Sequence, residues 1–157
     1  MSSDEDFLLV LAEALVAVGL EAIIIGATAA AVQGVPIMTR DVDLLVRDTP
    51  DNRGKIEALA IKLKTGSPQR VSDLSSAVSL IGGRAPVDII FDEIPGRLSF
   101  SSIRSRAKTF VVGSCQLQVA SLADVIASKQ AAGRPKDIAQ LAILQAAARV
   151  ELPDDEA

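Results

Sequence analysis

Glu21-Ala-Ile-Ile-Ile-Gly26-Ala-Thr28 and, a short interval later, Thr39-Arg40-Asp41-Val42-Asp43-Leu44-Leu45-Val46 decide how this chain reads. The run Ala22 to Ile25 is too short for a helix and too apolar for an exposed edge, which predicts a buried central strand ending at Gly26. The second stretch predicts another strand, opening on two aspartates. Residues two apart on a strand point to the same face, so Asp41 and Asp43 present their carboxylates side by side. Paired carboxylates beside a glycine turn point to a metal site for a phosphate-bearing ligand.

Composition narrows the remaining possibilities. The 157 residues suffice for one compact domain, 1–157, with its own core. Hydrophobic residues make up 49%, and they are overwhelmingly aliphatic because Trp and Tyr are absent and Phe numbers 4. A net charge of −4 and a pI near 4.8 exclude coating of nucleic acid by global charge, so an RNA partner has to be argued from a local patch. Cys115 is the single cysteine and there is no histidine, which removes intrachain disulfides, Cys or His metal ligands and Ser-His-Asp catalysis. Any catalysis rests on carboxylates, Lys, Arg, hydroxyls and bound metal. The start, Met1-Ser-Ser-Asp-Glu-Asp6, is acidic where a secretory signal is basic, and no apolar run approaches a membrane span. A cytoplasmic protein with no membrane partner is the expectation.

Outward from the two strands, Phe7 to Val18 predicts an amphipathic helix ended by Gly19, and Thr28 to Gln33 a short helix closed by Gly34. Asp48 to Asn52 supplies cap chemistry for a helix from Arg53 to Lys64, with Ile56, Leu59, Ala60 and Leu63 as its buried stripe. Ala77 to Ile81 and Pro86 to Phe91 read as strands joined through Gly82-Gly83-Arg84. Asp88 sits among aliphatics there, where an unpaired carboxylate is costly to bury, and a shared metal would serve as its partner. Asp92 to Lys108 carries Arg97, Arg104, Arg106 and Lys108, the basic segment of an acidic chain, with no element assigned to it. Phe110 to Val119 reads as a pair of short strands around Gly113-Ser114. Ser121 caps a helix from Leu122 to Ala132, stopped by Gly133, and Pro135 opens a last helix to about Val150, before a frayed tail.

Gly26, Asp41-Val42-Asp43, Val87-Asp88 and Ser121-Leu-Ala-Asp-Val-Ile-Ala-Ser-Lys129 leading to Gly133-Arg-Pro-Lys-Asp137 stand in an order that resembles nucleotidyltransferase-like proteins. More narrowly they resemble the AbiEii-type branch, which includes toxins of toxin-antitoxin pairs. The resemblance spans roughly Ala22 to Leu144. It implies an α/β (α+β) nucleotidyltransferase fold, a small mixed β-sheet flanked by helices, with a C-terminal helical pair over 121–150.

It also implies a chemistry. Nucleotidyl transfer needs an attacking hydroxyl in line with the α-phosphate and a leaving pyrophosphate whose charge is neutralised. By resemblance, Asp41, Asp43 and Asp88 hold Mg²⁺ or Mn²⁺, and Asp88 helps to activate the acceptor hydroxyl. Gly26, Ala27, Thr28, Thr39 and Arg40 meet the nucleoside triphosphate. Lys129 contacts phosphate, and Asp137 acts as a base or orients the lysine. The acceptor implied is a hydroxyl on RNA, tRNA foremost, on protein or on a small molecule, and an antitoxin is the implied protein partner. The chain departs from the family at Ala27, where Gly or Ser is usual, and at Gln140, an amide in the place of a second acid, so altered activity is one implication.

Each feature also has a plainer reading. Asp-x-Asp at a strand start is ordinary turn chemistry, Lys129 suits a solvated helix face, Asp137 suits a helix first turn, and the Arg97 to Lys108 run suits a solvated surface. The alternative function is a non-catalytic interaction module on the same fold. Three aspartates set beside apolar strands argue against it, since a site freed from catalysis has little physical reason to cluster acids.

Overall fold

The computed structural model describes the backbone over residues 3–156 and side chains over residues 6–150; Met1, Ser2 and Ala157 lie outside the described residues. Helix α1 (Ser3–Val18) leads into β1 (Ile23–Ile25), whose three isoleucines are all buried. α2 (Gly26–Val32) follows without a loop, β2 (Val42–Val46) comes next, and α3 (Pro50–Lys62) closes the first half. The second half runs β3 (Gln69–Arg70), β4 (Val78–Leu80), β5 (Val87–Phe91), the small pair β6 (Glu93–Ile94) and β7 (Leu98–Ser99), α4 (Phe100–Arg106), β8 (Lys108–Val112), β9 (Cys115–Val119), α5 (Leu122–Ala132) and α6 (Pro135–Glu156).

Seven strands form one mixed sheet in the order β3-β4-β5-β2-β1-β9-β8, and β6 pairs with β7 separately. β1 and β2, the strands of the opening motif, lie at the centre. β2 runs parallel to β5 and antiparallel to β1, which itself runs parallel to β9. Burial follows from this position: Ile23, Leu44, Leu45, Val46, Val87 and Ile89 are fully buried and join Leu11, Ile56, Leu59 and Leu144 in one core. α1 packs against α3 and β9, α2 against β1, β2 and α5, and α5 against α6. Among the described residues no helix is long and apolar enough to cross a membrane.

Local chemistry moves several expected boundaries. α3 begins at Pro50, because the Thr49 hydroxyl accepts the backbone N–H of Asn52 and Pro50 fits the first helical turn. α2 starts at Gly26 itself, φ +67°, directly from the extended Ile25. α6 runs past Val150 to Glu156. The basic segment left unassigned in the sequence holds β6, β7 and α4. The two buried apolar residues of α4, Phe100 and Ile103, are three apart on one helix face, and Ser99 caps the helix through the N–H of Ser102.

Candidate functional site

The sheet's register brings the site together across four strands. Ile25, immediately before Gly26, pairs with Asp43; Asp43 pairs with Asp88 on β5; and Asp88 pairs with Ser79 on β4. Because β1 runs opposite to β2 and β5, its C-terminal end meets their N-terminal ends. Gly26 therefore arrives beside the acids. A Cβ at Gly26 would stand 2.8 Å from Asp43 Oδ2, so the absent side chain, together with the positive φ, is what lets the α2 turn approach the carboxylate so closely.

Asp41 precedes β2 and is exposed, whereas Asp43 and Asp88 are half-buried. Burial first, and then the neighbouring charges of Asp88 and Asp41, push the Asp43 carboxyl up from 3.8 to about 6, with Lys136 and Lys129 pulling the other way. Asp88 accepts a hydrogen bond from the Ser79 hydroxyl. Among the described residues no three acidic side chains stand close enough to share one ion as they are arranged. Asp88 is engaged by Ser79, and Asp41 lies on the exposed approach to β2. The donor set nevertheless suits a hard divalent cation. It offers carboxylate oxygens alone, mutually repelling, in a cradle that a Cβ at Gly26 would fill.

Across from the acids stands the corner between α5 and α6. Ser121 caps α5 through the N–H of Asp124, and Gly133 ends it in the left-handed conformation, φ +62°, so that α6 starts within two residues. On this corner Asp137 is fully buried. Its carboxylate takes Lys129 Nζ at 3.3 Å and Arg134 Nε at 2.6 Å. Burial raises the Asp137 carboxyl, but the hydrogen bonds from Arg134 and Lys129 outweigh it and hold it below the usual carboxylate value. Such a group is a poor proton acceptor and a good anchor for cations.

A cleft of about 620 Å³ lies between the two, with Gly26, Ala27, Thr39, Arg40, Asp41, Asp43, Asp88, Lys129, Asp137 and Gln140 all in its lining. Thr28 is not among its lining residues. The Thr28 side chain is buried and donates to the Asp41 carbonyl at 2.9 Å, so it fixes the backbone that carries the acids and does not face a ligand. The segment Arg97 to Lys108 stands apart from the cleft. Arg104 pairs with Glu21 at 3.0 Å and Arg106 with Asp124 at 2.9 Å, so the two central arginines of the expected basic patch are held in ion pairs.

Ser79, Arg134 and Lys136 were missed from sequence. Ser79 needed the strand register, which sequence does not supply. Arg134 had a signal, its spacing of three from Asp137 at a helix start, which favours an ion pair on one face.

No family model matches the sequence, and no curated protein matches it. Solved structures do resemble it. The antibiotic-resistance factor ANT(2'')-Ia superposes with a TM-score of 0.63 at 16% identity, over 98% of this chain and 95% of that one. A candidate nucleotidyltransferase from Thermotoga maritima gives 0.57 at 16% identity, over 100% and 97%. An antigenic nucleotidyltransferase-like protein from Paracoccidioides brasiliensis gives 0.51 at 21% identity, over 92% and 77%. The chain has the nucleotidyltransferase fold.

Proposed function

We propose that this protein is a metal-dependent nucleotidyltransferase, moving a nucleoside monophosphate from a nucleoside triphosphate to an acceptor hydroxyl. The observation that carries the reading is one cleft with acids on its sheet side, Asp41, Asp43 and Asp88 beside Gly26, and cations on its helix side, Lys129 foremost. Triphosphate chemistry requires both signs of charge, one to hold a cation and one to meet phosphate oxygens.

In this reading Asp41 and Asp43 hold Mg²⁺ or Mn²⁺, and Asp88 completes the set. The ion, when bound, neutralises charge on the phosphates and lowers the barrier to attack on the α-phosphate. In this reading Asp88, which accepts a hydrogen bond from Ser79, takes the proton of the acceptor hydroxyl. Gly26 and Ala27 bring backbone close to phosphate, and Thr39 and Arg40 line the same cleft. Lys129, fixed by Asp137, supplies a positive charge to the phosphates. Of the two roles open to Asp137, the orienting one fits a carboxylate that two cations already occupy.

Two supports bear on the acceptor. The resemblance to the AbiEii-type branch favours RNA, tRNA above all, with an antitoxin as partner. ANT(2'')-Ia has been solved in complex with adenylyl-2''-tobramycin, which favours a small-molecule hydroxyl. Arg104 and Arg106, being paired with acids, lend the RNA arm no support.

Incubation with each α-labelled triphosphate, Mg²⁺ or Mn²⁺ and cell extract, followed by separate inspection of RNA, protein and small-molecule fractions, tests the proposal. Label is expected in one fraction and is lost when Asp41 and Asp43 are both changed to Ala. Absence of label in every fraction, with no binding of any of the four triphosphates in the presence of metal, rejects it.

A further inference from the structure

The α5–α6 corner holds more positive charge than one phosphate-contacting lysine requires. Lys129, Arg134 and Lys136 all line the cleft on this side, against the single carboxylate of Asp137. Asp137 is fully buried, and it engages both Lys129 and Arg134 through both carboxylate oxygens: Oδ1 takes Lys129 Nζ at 3.3 Å and Arg134 Nη2 at 3.2 Å, and Oδ2 takes Arg134 Nε at 2.6 Å. Oδ2 also accepts the Arg134 backbone N–H at 3.3 Å, which ties the side-chain arrangement to the start of α6.

The donor inventory shows what remains. A guanidinium has five N–H groups in a fixed fork, and Asp137 takes one from Nε and one from Nη2. The Nη1 pair and the second hydrogen of Nη2 are left over, on a side chain that is 59% exposed where it lines the cleft. Lys129, by contrast, is 11% exposed, a near-buried ammonium that reaches the cleft with little freedom to move. Lys136 is exposed on the same corner, in the first turn of α6. The three cations thus differ in depth, with Lys129 innermost and the other two towards solvent. All three line the one cleft, so a chain of phosphates lying along it can reach each of them.

We propose that Arg134 and Lys136 hold the β- and γ-phosphates, the part that leaves as pyrophosphate, and that Asp137 is a positioning residue that aims Lys129 and Arg134 at them. This inference rests on the nucleotidyl-transfer reading. Two features make it more than a general attraction for anions. A planar fork fixed by a buried carboxylate loses little conformational entropy on binding phosphate, and phosphate accepts two parallel N–H bonds from such a fork. A free surface arginine would lose more.

The consequence is selectivity for the length of the phosphate chain. Wild-type protein is titrated calorimetrically, with Mg²⁺, against inorganic tripolyphosphate and against the triphosphate and monophosphate of one nucleoside. The triphosphate is expected to bind at least tenfold more tightly than the monophosphate, and tripolyphosphate to compete with it. Changing Arg134→Gln and Lys136→Gln together should cut that preference at least tenfold while altering monophosphate affinity less than twofold; because Arg134 is also the closest partner of the buried Asp137, folding of this variant is checked by circular dichroism and urea unfolding. Arg134→Lys with Lys136 intact should keep part of the preference, because charge returns without the fork. In folded Asp137→Asn, checked by circular dichroism, the preference should also fall although every cation remains.

An unchanged triphosphate-to-monophosphate ratio in the double variant overturns the assignment of Arg134 and Lys136. An unchanged ratio in folded Asp137→Asn overturns the positioning role. A wild-type protein that binds nucleotides without preferring the triphosphate sinks this inference and leaves nucleotidyl binding standing, whereas a wild-type protein that binds no nucleotide rejects the nucleotidyltransferase reading itself.

Discussion

Two aspartates of this cleft respond to pH in opposite senses. Asp43 is raised from 3.8 to about 6 by burial and by Asp88 and Asp41, so the folded state holds its proton more tightly than the unfolded chain does. Its contribution to stability is therefore full below about 3.8 and is lost as pH rises through about 6. Asp137 is held low by Arg134 and Lys129, and its contribution is present above the ordinary carboxylate range and lost as pH falls below it. Asp43→Asn removes the first effect alone. In metal-free protein at pH 7.5 the variant is expected to be more stable than wild type, and the gain should vanish by about pH 4. A shift of this size corresponds to about 2–3 kcal/mol at full burial, and solvent screening of the half-buried carboxylate reduces it to about 1–2 kcal/mol. Urea unfolding at pH 4, 6 and 7.5 with a chelator present decides it. Equal stability of the two proteins at pH 7.5 would show that Asp43 is not under the strain its neighbours imply.

At the scale of elements, legibility followed apolar pattern and cap chemistry. β1, β2 and β5 were readable because their β-branched runs are buried, and α5 because Ser121 and Gly133 bracket it. α4 was not: its serines and arginines look like a solvated surface, and only the docking of Phe100 and Ile103 makes the segment helical. The same holds for the site. Gly26, Asp41, Asp43, Asp88, Lys129 and Asp137 were recognisable from their order in the chain and all meet in the cleft, whereas Ser79 depends on pairing across β4 and β5. The arginines of α4 illustrate the difference between composition and placement. Arg106 Nε bonds both oxygens of Asp124, whose side chain is 7% exposed, and so ties α4 to the first turn of α5. Arg106→Ala leaves that carboxylate without its cation, at an expected cost of about 1–3 kcal/mol in urea unfolding. Arg104→Ala, whose pair with Glu21 is exposed on both sides, is expected to cost less than about 1 kcal/mol. If the two substitutions instead weaken RNA labelling equally and leave stability untouched, the segment is a binding surface after all.

For the molecule as a whole, the sheet and the α5–α6 corner present opposite charges to one cleft, and this separation makes a prediction about joint binding. A divalent cation alone relieves the repulsion among Asp41, Asp43 and Asp88 but has the positive corner opposite; a triphosphate alone meets Lys129 and Arg134 but faces the acids. Brought in together, each ligand removes the other's repulsion, so the two are coupled, and the coupling must appear in the stability of the folded state, because an unfolded chain has neither surface assembled. Metal with triphosphate, at about 100 times the dissociation constant, is expected to stabilise by about 2.7 kcal/mol. For a chain of this length that is a rise in Tm of about 5–10 °C. The rise should exceed the sum of those given by Mg²⁺ alone and by the triphosphate with a chelator. It should disappear when Asp41 and Asp43 are both changed to Ala, while the chelated triphosphate, freed from the acids, keeps or improves its own small effect. Thermal unfolding in the four ligand conditions separates these outcomes, and a merely additive rise in wild type would mean that the two charged walls do not act on one ligand.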